Sequence, residues 1–154
     1  MPILEQTLAA IKHYCAYQER CHWEVRNKLI QLECYGEDLE EAIGVLIQEN
    51  YLNEERYAHA FAGGKFRMQA WGKVKIRQQL KAKKVSDYCI KKGLLAINDE
   101  DYERKLLSLL ERKKESLKSE RSPWKKKQKV FQYLLQKGFE LDLMQSAWDS
   151  GESV

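Results

Sequence analysis

The stretch Ile76-Arg77-Gln78-Gln79-Leu80-Lys81-Ala82-Lys83-Lys84-Val85-Ser86-Asp87-Tyr88-Cys89-Ile90-Lys91-Lys92-Gly93-Leu94 decides the fold, because its apolar pattern recurs twice more in the chain. Leu29 and Leu134 take the place of Leu80. Four residues before the anchors stand Val25, Ile76 and Val130, and five after them Cys34, Val85 and Phe139. Ten after lie Leu39, Ile90 and Met144; thirteen after, the small residues Ala42, Gly93 and Ala147; fourteen after, Ile43, Leu94 and Trp148. The register needs no gap, so the pattern is an internal repeat rather than a coincidence of apolar positions. Its physical reading is a helix that ends near the anchor, a tight turn, and a second helix packed back on the first. The small residue lets two backbones approach, and its large neighbour fills the space beside it.

A further helix precedes each copy. Asn53-Glu54-Glu55-Arg56-Tyr57 matches Asn98-Asp99-Glu100-Asp101-Tyr102, a carboxylate-rich first turn that suits the helix dipole, and Leu4–Tyr17 is the counterpart in the first copy. Apolar residues recur at helical spacing throughout (Leu8, Ile11, Cys15; Leu39, Ile43, Leu46, Ile47; Leu106, Leu110) and period-2 alternation is nearly absent. Asn53, Ser86, Asp99 and Ser122 are candidate caps, the last followed by Pro123 at the position proline tolerates. The expected fold is all-α: three tandem three-helix, helix-turn-helix-like repeats at 1–50, 51–97 and 98–151, in an elongated, curved arrangement. Arg112–Lys129 reads as a long charged linker.

Composition narrows the function classes. The 154 residues are 44% hydrophobic and 32% charged, with two prolines and eight glycines, which excludes collagen-like and Pro/Gly-rich disordered classes. No apolar run approaches the ~18–20 residues of a membrane span. The opening Met-Pro-Ile-Leu-Glu-Gln lacks a signal-peptide layout, and the four cysteines form no CxxC pair, so a cytoplasmic protein with reduced thiols is expected. No heptad seam is present, and a monomer is expected.

The net charge of +4 conceals an asymmetry: residues 1–64 carry −6, residues 65–92 carry +9, and residues 93–154 carry +1. The basic middle points to polyanions or acidic partner surfaces, against the plainer alternative of a solvated helix face. Lys73, Arg77, Lys81 and Lys84 fall at i, i+4, i+8 and i+11, one stripe of a helix running into its turn. Lys75 and Lys83 add charge beside it, and Lys65 and Arg67 add it from the preceding helix. Such a stripe can track phosphates with salt-dependent strength.

Other constellations carry less. His13, Cys15, Cys21 and His22 match no zinc spacing, and Cys15 sits on an apolar face. Gly63-Gly64-Lys65 lacks the leading glycine and following hydroxyl of a phosphate loop; it reads as a place where a helix loosens, bends or packs closely. Glu40-Glu41 and Glu54-Glu55 point to different sides of a helix and form no acid–base pair. The tryptophans at 23, 71, 124 and 148 sit near repeat joints and read as packing residues rather than base-stacking ones. No catalytic residue, metal or cofactor is expected.

The segment Tyr51-Leu52-Asn53-Glu54-Glu55-Arg56-Tyr57-Ala58-His59-Ala60-Phe61, followed by Gly72 and Ile76-Arg77-Gln78-Gln79-Leu80-Lys81-Ala82-Lys83, closely resembles the central signature of the RecX family, bacterial regulators of the RecA recombinase. Glu19-Arg20-Cys21-His22-Trp23-Glu24-Val25-Arg26-Asn27-Lys28-Leu29 resembles that family's first-repeat motif. The resemblance implies tandem three-helix repeats and a non-enzymatic protein of recombination, DNA repair and the SOS response. Such a protein binds the RecA filament on single-stranded DNA along its groove and inhibits ATPase and strand exchange. Where the family usually has a turn glycine this chain has Lys84, which must adopt the left-handed conformation or reshape the turn, whereas the third copy keeps Gly138. Two other readings remain open at this point: a free-standing helix-turn-helix-like protein on duplex DNA, and a helical adaptor without a nucleic-acid role.

Overall fold

The computed structural model describes residues 5–152; Pro2, Leu4 and the rest of the first four residues lie outside it. Among the described residues there is no strand, and the helices fall in threes. They are α1 (Glu5–Tyr17), α2 (His22–Gln31) and α3 (Gly36–Gln48); α4 (Glu54–Gln69), α5 (Lys73–Ala82) and α6 (Asp87–Leu94); α7 (Asp99–Ser116), α8 (Pro123–Lys137) and α9 (Leu141–Glu152). The segment expected to be a linker is largely helical: α7 continues to Ser116 and α8 starts at Pro123. Its lysines and glutamates are good helix formers, and charge alone does not break a helix.

The turn after the second helix of each triplet is built the same way. Cys34 N–H donates to Leu29 C=O (2.9 Å), Val85 N–H to Leu80 C=O (3.1 Å) and Phe139 N–H to Leu134 C=O (3.1 Å). One residue earlier, Glu33, Lys84 and Gly138 donate to Ile30, Lys81 and Leu135. This pair of bonds is the Schellman motif, and it requires a left-handed residue between the two partners. Glu33, Lys84 and Gly138 supply it with φ of 62°, 64° and 96°. Lys84 therefore takes the strained conformation, and the turn keeps its shape.

The caps follow the sequence with one shift. Asn53 Oδ1 accepts from Arg56 N–H (2.9 Å), Ser86 Oγ from Cys89 N–H (3.2 Å) and Ser122 Oγ from Lys125 N–H (3.3 Å). At α7 the cap is Asn98, whose side chain accepts from Glu100 and Asp101, and Asp99 is the first helical residue. Asn98, one position earlier, has the extended, non-helical backbone that a cap needs, with φ −69° and ψ 135°.

The chain divides into two compact units, one of residues up to Phe61 with Gln79–Leu94, the other of Ala62–Gln78 with residues from Leu95 onward. The division cuts through α4 and α5, so each unit holds parts of more than one triplet. The first unit has a core of Ile11, Val25, Leu29, Ala42, Leu46 and Leu52. Gly93 of α6 lies against the backbone of α4: a Cβ there would come within 2.7 Å of the Ala58 carbonyl. The small residue expected at this position thus permits close helix contact. Ile47, grouped with the core by spacing, is 48% exposed.

In the second unit Phe66, Tyr102 and Phe139 stack in sequence, with centroids 5.8 and 5.1 Å apart. Here backbone meets backbone. Gly72 N–H donates to Lys137 C=O (2.7 Å) and Val74 N–H to Gly138 C=O (2.9 Å). A Cβ on Gly72 would fall 2.3 Å from the Gly138 carbonyl oxygen, and one on Gly138 would fall 2.3 Å from Lys75 Cβ.

Two outcomes test this packing. Leu134→Ala, at a fully buried anchor, is expected to cost about 2–5 kcal/mol in urea unfolding, whereas Leu135→Ala, at a half-exposed neighbour, should cost under about 0.5 kcal/mol. Gly72→Ala should destabilise more than an ordinary surface Gly→Ala change and broaden the amide NMR spectrum around α5 and α8, since the atoms in its way are backbone.

Candidate functional site

The +9 segment runs from the end of α4 through α5 to α6, and the two units share it. In the second unit, the ammonium groups of Lys65 and Lys75 lie over the half-buried Trp71 ring, 5.0 and 4.6 Å from its centroid. Lys73 is held by Asp99 (3.5 Å) and sits 4.7 Å from the Tyr102 ring. Arg67 is exposed, its guanidinium folded back to where a Cβ on Gly63 would lie. Gly63 thus makes room for a side chain within a continuous α4 rather than breaking it. Arg77 is exposed and has no ion-pair partner among the described residues.

In the first unit, Lys83 is half-buried: its ammonium binds Glu24 (3.2 Å) and lies 5.8 Å from the Trp23 ring. Lys81 is exposed, with Asp87 at 4.0 Å, a distance worth little in water. Lys84, Lys91 and Lys92 are also exposed. The eight cations singled out in the sequence therefore separate into two groups. Lys65, Lys73, Lys75 and Lys83 are half-buried and engaged within the fold, while Arg67, Arg77, Lys81 and Lys84 are exposed. Sequence spacing placed Lys73 with the second group; the carboxylate of α7 that holds it is visible only in three dimensions.

The sequence reading missed two tyrosines at matched repeat positions. Tyr102 is 2% exposed; its hydroxyl accepts from Lys73 N–H (2.9 Å) at the start of α5 and donates to the Glu140 carboxylate. Burial, with that carboxylate, pushes its ionisation far above the ordinary tyrosine range. Tyr57 is buried in the same way in the first unit, its hydroxyl meeting the Cys21 thiol at the start of α2. Cys21 in turn points its thiol at the Lys83 carbonyl (3.8 Å). Cys21 and Gly72 both stand eight residues before an anchor, and Lys83 and Lys137 both stand three after one. Each unit therefore contains the same contact, between the start of one triplet's second helix and the end of the next triplet's. The recurrence of tyrosine at 57 and 102 was the signal.

Two of the carboxylates singled out in the sequence, Glu40 and Glu54, are engaged by hydrogen bonds within the fold. Glu40 is taken up by a two-point bond to Arg26 (2.7 and 3.1 Å), which lowers its carboxyl from the usual range, and Glu54 accepts from His22 N–H (3.0 Å). Among the described residues no three His, Cys, Asp or Glu side chains come together as metal ligands, and no helix is long and apolar enough to cross a membrane.

Residues 53–94 match the model of the RecX second three-helix domain, and residues 99–148 match that of the RecX third three-helix domain. The chain belongs to the RecX family. The regulatory protein RecX of Clostridium botulinum is 36% identical over 123 residues, covering 79% of this chain and 57% of that protein. The RecX of Lactococcus lactis subsp. lactis is 30% identical over 142 residues, covering 91% of this chain and 53% of that protein. The chain thus spans a little over half the length of these curated relatives. A crystal structure of RecX from Lactobacillus salivarius superposes with a TM-score of 0.88 at 26% identity, over 97% of this chain and 96% of that one.

Within a RecX fold, Lys84 poses a specific trade. Lys84→Gly should raise stability by about 1 kcal/mol, measured by urea unfolding, because a β-carbon in the left-handed region is strained. The same change removes an exposed cation from the turn after α5. Thiol reactivity offers a second check. Burial pushes Cys15 and Cys21 up to about 11, so both stay protonated at neutral pH. Iodoacetamide at pH 7.5 should label half-exposed Cys89 first, read by mass spectrometry, and reach Cys15 and Cys21 only after unfolding.

Proposed function

We propose that this chain is a regulator of a RecA-type recombinase, binding its filament on single-stranded DNA and restraining ATPase and strand exchange. The observation that carries the reading is family membership: the relatives from Clostridium botulinum and Lactococcus lactis are named regulatory proteins. In this reading the functional modules are the three repeats at 1–50, 51–97 and 98–151. The protein acts as a cytoplasmic monomer without cofactor and without catalysis of its own. Its contact residues are the four cations the fold leaves available, Arg67, Arg77, Lys81 and Lys84. They would meet DNA phosphates or acidic patches of the recombinase, since both attract cations at physiological ionic strength. The half-buried Lys65, Lys73, Lys75 and Lys83 would hold the surrounding helices in place.

The test is the single-strand-DNA-dependent ATPase of RecA from the same organism, with this protein titrated in below the RecA concentration. Substoichiometric inhibition is expected. Arg77→Glu combined with Lys81→Glu should raise the concentration needed for half-inhibition by about tenfold or more, while Lys65→Met should leave it within about twofold. No inhibition at several-fold excess, together with salt-sensitive binding to naked duplex, would replace this reading with that of a duplex DNA-binding protein.

A further inference from the structure

A cavity of about 380 Å³ opens between α4 and α7, with all its lining residues in the second unit. Phe66 and Arg67 line it from α4; Asp101, Arg104, Lys105 and Ser108 line it from α7. The α7 residues stand at i, i+3, i+4 and i+7, so one face of that helix is turned to the cavity. Phe66 is buried and stacked on Tyr102, which gives the cavity a fixed apolar wall. Three cations and one carboxylate thus converge on a volume typical of the smaller small-molecule sites.

The fold makes little use of these charges. Arg104 donates to Asp101, one turn back along α7, and both are exposed. The side chains of Arg67 and Lys105 have no ion-pair partner among the described residues. Lys105 is nonetheless half-buried, and no carboxylate within the fold compensates it. Nor does the repeat require the α7 residues: at the positions matching Arg104, Lys105 and Ser108, α4 has His59, Ala60 and Gly63. Gly63 does serve the cavity. The Arg67 guanidinium occupies the space of the missing side chain, with Nη1 2.7 Å from where a Cβ would stand. A glycine inside a helix weakens it, and what this one admits is a seat for a guanidinium beside the cavity.

We propose that this cavity binds the phosphate chain and ribose of a free nucleoside di- or triphosphate. Arg67, Arg104 and Lys105 take the phosphate oxygens, the guanidinium forks by paired hydrogen bonds and the ammonium as a point charge. Ser108 donates a further bond from its hydroxyl. Asp101 repels phosphate, so the sugar lies on its side of the cavity, where the carboxylate accepts from ribose hydroxyls. Convergence of the cations selects a phosphate chain over nucleic acid. A strand carries one charge per nucleotide and brings a single phosphate at a time to one cavity, whereas a di- or triphosphate places all its charges inside. Phe66 is the one aromatic residue in the lining and is buried, so the site reads phosphate and sugar rather than a base. This inference goes beyond the regulatory reading, as it requires neither recombinase nor DNA. Occupancy withdraws Arg67 from the surface that the regulatory reading uses.

The experiment is isothermal titration calorimetry of the full chain with ATP, ADP, AMP and inorganic tripolyphosphate, in buffer free of divalent ions. ATP and ADP should bind. AMP should be weaker by about tenfold or more, because it lacks the chain, and tripolyphosphate weaker than ATP, because it lacks the sugar. Lys105→Met, which keeps the aliphatic stem, should weaken ATP binding by about tenfold. Gly63→Ala should weaken it by about threefold or more by unseating Arg67, while thermal unfolding comes no earlier, alanine being the better helix former. Lys125→Met, at an exposed cation outside the cavity, should change ATP affinity by less than about twofold. No binding of ATP at millimolar concentration would overturn the proposal. So would an ATP affinity that Lys105→Met leaves unchanged or lowers no more than Lys125→Met does, or tripolyphosphate binding as tightly as ATP. Oligo(dT) binding that Lys105→Met weakens as much as it weakens ATP would also overturn it, since the cations would then belong to a nucleic-acid surface. Because the ATP titration contains neither RecA nor DNA, its failure leaves the ATPase test untouched, and the reverse also holds.

Discussion

Much of the second unit depends on one constraint: backbone must touch backbone where Gly72 meets Gly138. The hydrogen bonds from Gly72 and Val74 to the last carbonyls of α8 can form only if no side chain intervenes. Those carbonyls would otherwise be orphans at a helix end, and the first amides of α5 would be orphans at a helix start. Each end satisfies the other, and Tyr102 completes the arrangement by accepting the Lys73 amide. In the first unit the equivalent place is held by side chains instead: the Cys21 thiol against the Lys83 carbonyl, Tyr57 against Cys21, and Glu24 binding both the Cys21 amide and the Lys83 ammonium. One position of the repeat has thus been solved twice, once by glycine and once by a small, buried, protonated thiol.

This arrangement draws on the same lysines that make the middle of the chain basic. Lys73 and Lys83 are in the joint contacts, and Lys65 and Lys75 lie over the Trp71 ring. A cation whose charge is met by a carboxylate or an aromatic face presents little field to a distant partner. The effective charge of the +9 segment is therefore smaller than its count, and it lies with exposed residues such as Arg77 and Lys84, and with Lys81, which meets Asp87 only at 4.0 Å.

Much of the architecture was legible in the sequence. Apolar spacing of 3.6 fixed the helices, and the ungapped recurrence around Leu29, Leu80 and Leu134 fixed the triplets, because both are local rules that each segment obeys alone. The turn after the second helix was legible as a choice, a left-handed Lys84 or a reshaped turn, and the structure takes the first. The RecX motifs lie on the same positions, which is why the family could be read from Tyr51–Lys83.

What the sequence could not decide is pairing between segments far apart along the chain. Nothing local to Lys73 announces Asp99, and Trp124 and Trp148 look alike until one is exposed and the other buried. The sequence by itself determined helices, triplets and turns, since these follow from hydrogen bonding and hydrophobic period within about twenty residues. Only the tertiary structure decided which charges are spent inside the fold and which aromatic surfaces face solvent, because burial belongs to the packed whole and not to any one segment.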